Sequence, residues 1–448
     1  MKDEIFRRLA KTPQEQQSLE KQIGAVFEVH AGIETTLLEE AVLRRTVKPV
    51  QPVKRELVDR PDAQGVAQGS RRGDFVYDVP MKHELEAMLA KDPSLHAQLK
   101  QASEAWATER PEPGDSRTVY ADFCDGDVLQ SHPGLGRASD RSDGTVRLAF
   151  ILYYDDLEVV NPLGAFHGTH KLGMFYWALV NIEKSERMSF HNLHLMTVAL
   201  VSDIDYYGIE QVISGLPGDD SFGSAMTALD SGMDVRLAGG STERMRGWCI
   251  CLSADYPAAA LCSGFKKSVS ATAYCRECYV DKNDESYPAP NSFLEDNSHL
   301  KCRSCLRDKE NMAADFAHFQ TLSSETSRAE FLTSIGMNSF SHAFTRVPHF
   351  DISCMIPYDF MHCELEGTCK NELAAMLFYF LRKRPTWGFT LEKLNAAIRA
   401  YAWPAGFAPP TFTAGYLEKG TQDGKCKTGC HVHMTSGDMA IFMRHSIS

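Results

Sequence analysis

The run Val146-Arg-Leu-Ala-Phe-Ile-Leu-Tyr-Tyr154, closed by Asp155-Asp156, decides how the chain is read. It is almost wholly apolar, rich in strand formers, and ends abruptly in two acids. That is the pattern of a strand buried on both faces. Asn161-Pro-Leu-Gly164 follows as turn chemistry. Leu172 to Ile182 and Leu193 to Val201 read as a second and third strand. Gly208 to Ser214 and the stretch around Ala225 to Leu229 read as weaker helix. Trp248 to Ser253 is another buried strand, with Ala254-Asp255 at its end. Three strands, some helix, then a strand, with an acid ending the first and the fourth, is the skeleton of an RNase H-like domain. The expected fold class is α/β: an RNase H-like core, a mixed sheet with flanking helices, interrupted by a cysteine-rich insertion. Mostly helical regions are expected on either side.

Further out, residues 1–73 read as a poorly ordered, partly helical leader, with Gln68-Gly-Ser-Arg-Arg-Gly73 as an exposed linker. Residues 74–118 read as a helical segment. Leu85, Met88, Leu89, Leu95 and Leu99 fall near helical spacing, and Asp92-Pro-Ser marks a break between two short helices. The first part of the core spans 119–264 and the cysteine-rich insertion 265–310. A mostly helical region over 311–448 completes the core, clearest at Asn371 to Leu381 and Leu391 to Tyr401. It stops at His445-Ser-Ile-Ser448 inside what reads as an unfinished apolar helix, the pattern of a truncated parent.

Composition excludes several classes. The chain has 448 residues, 43% of them hydrophobic and 24% charged, which is ordinary for a folded globular protein. No apolar stretch approaches the ~18 residues that span a bilayer. The start, Met1-Lys-Asp-Glu-Ile, carries no secretory signal, so an intracellular protein without membrane association is expected. The net charge of −12 argues against nucleic-acid binding by bulk positive charge. Thirteen cysteines, an odd number with none before Cys124, do not suit a secreted disulfide scaffold.

Four constellations could carry chemistry. Cys275-x2-Cys278 and Cys302-x2-Cys305 have the spacing of tetrahedral Zn2+ ligation, each pair gripping the ion from a tight turn. His299 could replace one thiolate. Four protein ligands make a closed, structural site; the plain alternative is four free thiols. Asp155, Asp156 and Asp255 end predicted buried strands. A strand-end aspartate is ordinarily a turn former or helix cap, but two at the correct elements of this order are what a Mg2+ pair needs for phosphoryl transfer. Asp359 and His362 lie at i, i+3 in Pro357-Tyr-Asp359-Phe-Met-His362, one face of a helix, where a metal or phosphate contact competes with an ordinary N-cap. Cys426, Cys430, His431 and His433 form a fourth group rich in soft ligands.

Together these segments resemble the transposases of CACTA/Plavaka-type DNA transposons and proteins derived from them, over about 120–445. Ile151-Leu-Tyr-Tyr-Asp155-Asp156 to Gly164 resembles the family's first-aspartate block, and His170 to Asn181 the strand after it. Ala254-Asp255-Tyr256-Pro257 resembles the second-aspartate block, followed by Cys275-Arg-Glu-Cys278. Pro357 to His362 with Gly367 resembles the Asp-x-x-His element. The resemblance implies a DDE/D transposase using two Mg2+ or Mn2+ ions to cleave transposon ends and join them to target DNA in the nucleus. It implies Asp155 as first carboxylate, with Asp156 its rival, Asp255 as second, and Asp359 with His362 as an accessory element. The third acid stays open among Glu364, Glu366, Glu372, Glu418 and positions beyond 448. A homo-oligomer is a further expectation. The acidic charge and the unplaced third acid leave a rival: a non-catalytic descendant that keeps the fold and the zinc module as a nucleic-acid- or protein-binding module.

Overall fold

The computed structural model describes residues 50–57, 74–107, 122–136, 139–158, 171–216, 218–268, 270–279, 281, 306–379, 381, 388, 390–401, 403, 411–413, 421–422 and 425–426. The chain divides into two compact units, one ending at Pro357 and one beginning at Tyr358.

The first unit is built on a mixed seven-stranded sheet with flanking helices, so the α/β expectation holds. Its strands are β1 (Val53–Glu56), β2 (Phe75–Asp78), β3 (Val146–Glu158), β4 (Lys171–Leu179), β5 (His194–Leu200), β6 (Met233–Arg236) and β7 (Thr242–Ser253). They lie in the order β1-β2-β5-β4-β3-β7-β6. β3, β4 and β5 form an antiparallel meander, and β7 returns parallel to β3. The four strands expected from sequence are all present. β3 runs four residues beyond Tyr154, so Asp155 and Asp156 lie within the strand rather than after it.

Alternation sorts β3 between two faces. Val146, Leu148, Phe150, Leu152 and Tyr154 pack into the main core. Ala149 and Ile151 pack on the other side with Trp106, Leu129, Leu135 and Trp248. Burial on both faces is why this strand reads as an unbroken apolar run. The main core also takes Leu85 and Leu89 from α1 (Met81–Lys91) and Leu95 and Leu99 from α2 (Pro93–Ala105). Asp92 breaks these two helices as expected, its side chain accepting from the Ser94 amide with Pro93 opening the second helix. The crossover from β5 to β7 passes through α3 (Val201–Tyr207), α4 (Ile209–Ile213) and α5 (Phe222–Ser231), followed by the β6–β7 hairpin. Ile204, Tyr207, Val212, Ile213, Phe222 and Met226 seat it on the core.

The expectation of a poorly ordered leader over 1–73 gives way at β1, and that of a helical segment from residue 74 gives way at β2. The cause is tertiary. Arg55 is held by Asp78 (Nε to Oδ2 2.5 Å) and by the carbonyls of Gln211 (2.9 Å) and Val212 (2.6 Å). Thr197 Oγ1 donates to the same Asp78 at 2.7 Å. Burial pushes the Asp78 carboxyl up although Arg55 opposes it.

After β7 come α6 (Tyr256–Ser263), α7 (Lys309–Thr321) and α8 (Glu325–Ser334). β6 pairs with β7 only from Thr242 to Met245; further along β7 the Leu252 N–H donates to Met355 O at 2.9 Å. In the second unit a π-helical stretch, Met361–Thr368, leads into α9 (Cys369–Phe378), and α10 (Leu391–Ala400) follows; Ala374, Leu377, Ile398 and Phe412 form its core. Among the described residues, no helix is long and apolar enough to cross a membrane.

Candidate functional site

The parallel contact between β3 and β7 runs towards two of the expected acids at one end of the sheet. Pairing begins at Val146↔Met245 and shifts by one residue between Phe150 and Ile151, after which Tyr153 stands opposite Ser253. The shift is a bulge, and a bulge re-aims everything downstream of it. Two residues past that last pair, the chains carry Asp155 and Asp255. Without the bulge, Asp155 would stand level with Ala254.

Each acid is held locally. Tyr153 Oη donates to Asp155 Oδ2 at 3.1 Å, and Tyr154 Oη donates to Asp156 Oδ1 at 2.6 Å. The Asp156 amide donates to Asp155 Oδ1 at 2.8 Å. Alternation sends Asp155 and Asp156 to opposite faces. Asp255 begins α6 as its N-cap, Oδ1 accepting from the Ala258 N–H at 2.8 Å. The capping role of a strand-end aspartate is therefore real for Asp255, and its placement beside β3 is an additional fact.

The neighbours record how the charges converge. The Tyr153 phenol is pushed up to about 12, first by burial, then by Asp155 and also by Asp255. Burial, then Asp156 and Asp205 among others, push the Tyr154 phenol up. Burial also pushes the Cys262 thiol up; Asp156 and Asp255 add to this and Lys267 opposes them. Asp255 thus shares one neighbour with Asp155 and another with Asp156. Both acids are exposed; Asp156 is tied to Tyr154, which is 2% exposed, and Asp155 carries the longer bond.

Sequence reading missed Asp205 on α3, with Lys267 Nζ 3.9 Å from its Oδ1, and the two tyrosines that orient the acids. The tyrosines were findable: Tyr-Tyr-Asp-Asp in a strand puts each hydroxyl two residues from an acid on its own face. Nothing local marks Asp205, which reaches the neighbourhood only through the crossover.

In the second unit, Asp359 accepts from the His362 N–H at 3.0 Å (Oδ1) and bonds His362 Nδ1 at 2.9 Å (Oδ2). The expected i, i+3 pairing is present, while the N-cap of the π-helical stretch itself is Phe360. A carboxylate on Nδ1 fixes the ring so that Nε2 is the outward nitrogen, and the ring is 46% exposed. Tyr358 Oη donates to Glu364 Oε1 at 3.0 Å, and Glu366 lies 4.0 Å from Lys370 Nζ. Both glutamates therefore have local partners. Glu372 is exposed on α9, and Glu418 lies outside the described residues.

Of the four cysteines, Cys275 and Cys278 are described; Cys302, Cys305 and His299 lie outside the described residues, as do Cys430, His431 and His433. Cys275 Sγ accepts from the Glu277 N–H at 3.3 Å. The Cys275 thiol is held down to about 6, chiefly by the hydrogen bond from Cys278 and then by the Glu277 and Cys278 amides against burial. A tight turn whose amides point at sulfur is a knuckle suited to a thiolate ligand. Cys278 bridges Leu306, the residue after Cys305, and the Arg307 N–H donates to Glu277 O at 3.0 Å. The sequence therefore returns beside the first pair just where the second ends. Donor type and turn geometry fit half of a thiolate metal site. Among the described residues, no group of three or more His, Cys, Asp and Glu is arranged to hold a metal ion. At the sheet end, two carboxylates and exposed strand ends suit a hard, oxygen-seeking cation such as Mg2+.

Comparison with protein-family models and with curated proteins found no match for the chain.

Proposed function

We propose that this chain is a transposon-derived, DDE/D-type transposase-like protein that cleaves and joins DNA. The observation that carries the reading is the bulged parallel register, whose last pair, Tyr153↔Ser253, lies two residues before Asp155 on one chain segment and two before Asp255 on the other. The sheet order β5-β4-β3-β7 and the helical crossover into β7 support an RNase H-like core. The protein would act on transposon ends and target DNA in the nucleus, as a homo-oligomer, with the acidic residues as its catalytic group.

Asp155 and Asp255, with Asp156 as the alternative first ligand, would hold Mg2+ or Mn2+; bound there, the ions activate an attacking oxygen and stabilise the leaving one. The chain's own contribution is placement. Tyr153 donates to the Asp155 oxygen and orients it, and the α6 cap fixes Asp255. Asp359 fixes His362 with Nε2 outward, able to hold or pass a proton. The third acid stays open among Glu364, Glu366, Glu372, Glu418 and positions beyond 448. Cys275, Cys278, Cys302 and Cys305, with His299 as a substitute, would hold a structural Zn2+ that folds the insertion and does no chemistry.

A second reading is favoured by Asp255 serving as an ordinary helix cap and by the net charge of −12, which opposes phosphate binding. In it the chain is a catalytically inactive descendant that binds nucleic acid or protein. The test is Mg2+- or Mn2+-dependent nicking of supercoiled and single-stranded DNA by wild type, Asp155→Asn and Asp255→Asn. Nicking lost in both variants supports the nuclease. Equal nicking in all three overturns it, and DNA binding without nicking in wild type favours the second reading.

A further inference from the structure

Arg307 is 2% exposed, yet its side chain reaches three backbone carbonyls. Nε donates to Cys275 O at 2.9 Å and to Cys278 O at 3.1 Å, and Nη2 donates to Ile335 O at 2.6 Å. The guanidinium lies against two rings, 4.3 Å from the centroid of Tyr279 and 5.1 Å from that of Phe265. One side chain thus ties both ends of the Cys275–Cys278 turn to the end of α8 and to the segment after α6. Its own N–H closes the middle of the turn on Glu277 O. A planar group whose Nε N–H is shared by the two turn carbonyls while Nη2 holds a third is geometry that lysine cannot reproduce.

A buried cation is costly unless a negative group faces it. The three acceptors are neutral carbonyls; the Asp315 carboxylate and the Cys275 and Cys278 sulfurs are the acidic groups in its field, and among the described residues Nη1 has no hydrogen-bond partner. A divalent ion held by four thiolates would add charge of the opposite sign at the turn that Arg307 grips, since the assembly is doubly negative.

We propose that Arg307 is the positioning residue of the metal site: it clamps the Cys275–Cys278 knuckle into its ligating shape before the metal arrives and supplies the counter-charge once it is bound. This rests on the zinc reading above. The knuckle is a pre-formed half-site, and its conformational entropy is lost during folding rather than during metal capture. Outer residues that orient ligands are typically worth about tenfold to a hundredfold in metal affinity.

The experiment uses the full chain, stripped of metal by a chelator, titrated with Co2+ and then displaced with Zn2+. Wild type should show a thiolate-to-cobalt charge-transfer band. Cys275→Ser, with one thiolate fewer, should bind more weakly and show a diminished band, and Arg307→Lys should bind about tenfold to a hundredfold more weakly with an altered d–d spectrum. Arg307→Lys with wild-type affinity and spectrum overturns the clamp while leaving the zinc reading intact. A wild-type chain that binds neither ion overturns both. Should Arg307→Lys fail to fold, hydrogen exchange on metal-free wild type decides. Protected Arg307 and Glu277 amides support a pre-formed knuckle, and free exchange there overturns it.

Discussion

Gly264 ends the helix that Asp255 begins, and its Cα lies so near Ser339 that a Cβ would meet the Ser339 carbonyl oxygen at 2.2 Å. Its φ is +79°, in the left-handed region. Gly264 O in turn accepts from the amides of Asn338 and Ser339. Backbone lies against backbone here, and no side chain can yield. Gly264→Ala combines a left-handed penalty of about 1–2 kcal/mol with overpacking of about 1–3 kcal/mol. Urea denaturation should show a loss of about 2–5 kcal/mol; a variant as stable as wild type contradicts this packing.

Asp255 has two separable duties. Asn is as good a helix cap as Asp, whereas Ala is not. Asp255→Asn should therefore retain its thermal midpoint and lose metal-dependent nicking. Asp255→Ala should lose nicking and also about 1 kcal/mol of stability. Equal stability losses in the two variants would show that charge rather than capping stabilises the helix start.

Acid should weaken the first unit through two histidines. Burial, then His349, hold His132 down to about 4, with Asp230 opposing; burial alone holds His342 down to about 4. His132 is 3% exposed, its Nδ1 accepts from the Gly134 N–H at 3.1 Å, and Nε2 is buried without a partner. Both folded values lie below the unfolded 6.5, so the neutral rings favour the fold. Their stability is complete above pH 6.5 and is lost as pH falls from 6.5 towards 4. For His132 alone the loss reaches roughly 3 kcal/mol. His132→Asn, which keeps an acceptor, should flatten that limb of the stability–pH curve; an unchanged limb would remove His132 from the account.

The Arg55–Asp78 pair should behave as a buried ion pair does. Arg55→Leu leaves the Asp78 carboxylate buried beside Thr197 and should cost about 3–5 kcal/mol. The double variant Arg55→Leu, Asp78→Leu should recover much of it, because the buried carboxylate is gone and Asp219, 3.7 Å from Arg55 Nε, keeps its bonds from the Leu216 and Ser221 amides. A double variant worse than the sum of the singles rules out this explanation.

The legible part of the fold was the part whose side chains alone report burial. β3, β4, β5 and the end of β7 write long apolar runs, and Asp92-Pro93 writes a helix start. β1, Val-Lys-Arg-Glu, was illegible because it has no apolar pattern, and β6, Met-Asp-Val-Arg, because its alternation lasts only four residues. Each is strand-like only through its partner. At the site, sequence named the acids and the Cys-x-x-Cys turn. It could not see the bulge, because Cys249-Ile-Cys251 gives no sign of where pairing slips. Nor could it see Arg307, one cation among 47 Lys and Arg, whose role depends on a turn closed from elsewhere.

The bond from Leu252 N to Met355 O has a consequence for how the molecule comes into being. Where β6 stops, the outer rim of β7 is covered by a segment roughly 100 residues later in the chain. Until that segment is synthesised and docked, the rim beside Asp255 is a bare row of amides and carbonyls, the kind of surface that recruits stray strands. Contacts of such long sequence separation form late because closing the loop costs entropy before it gives anything back. A nascent or partly unfolded chain is therefore most prone to self-association at the end of the sheet that carries its acids.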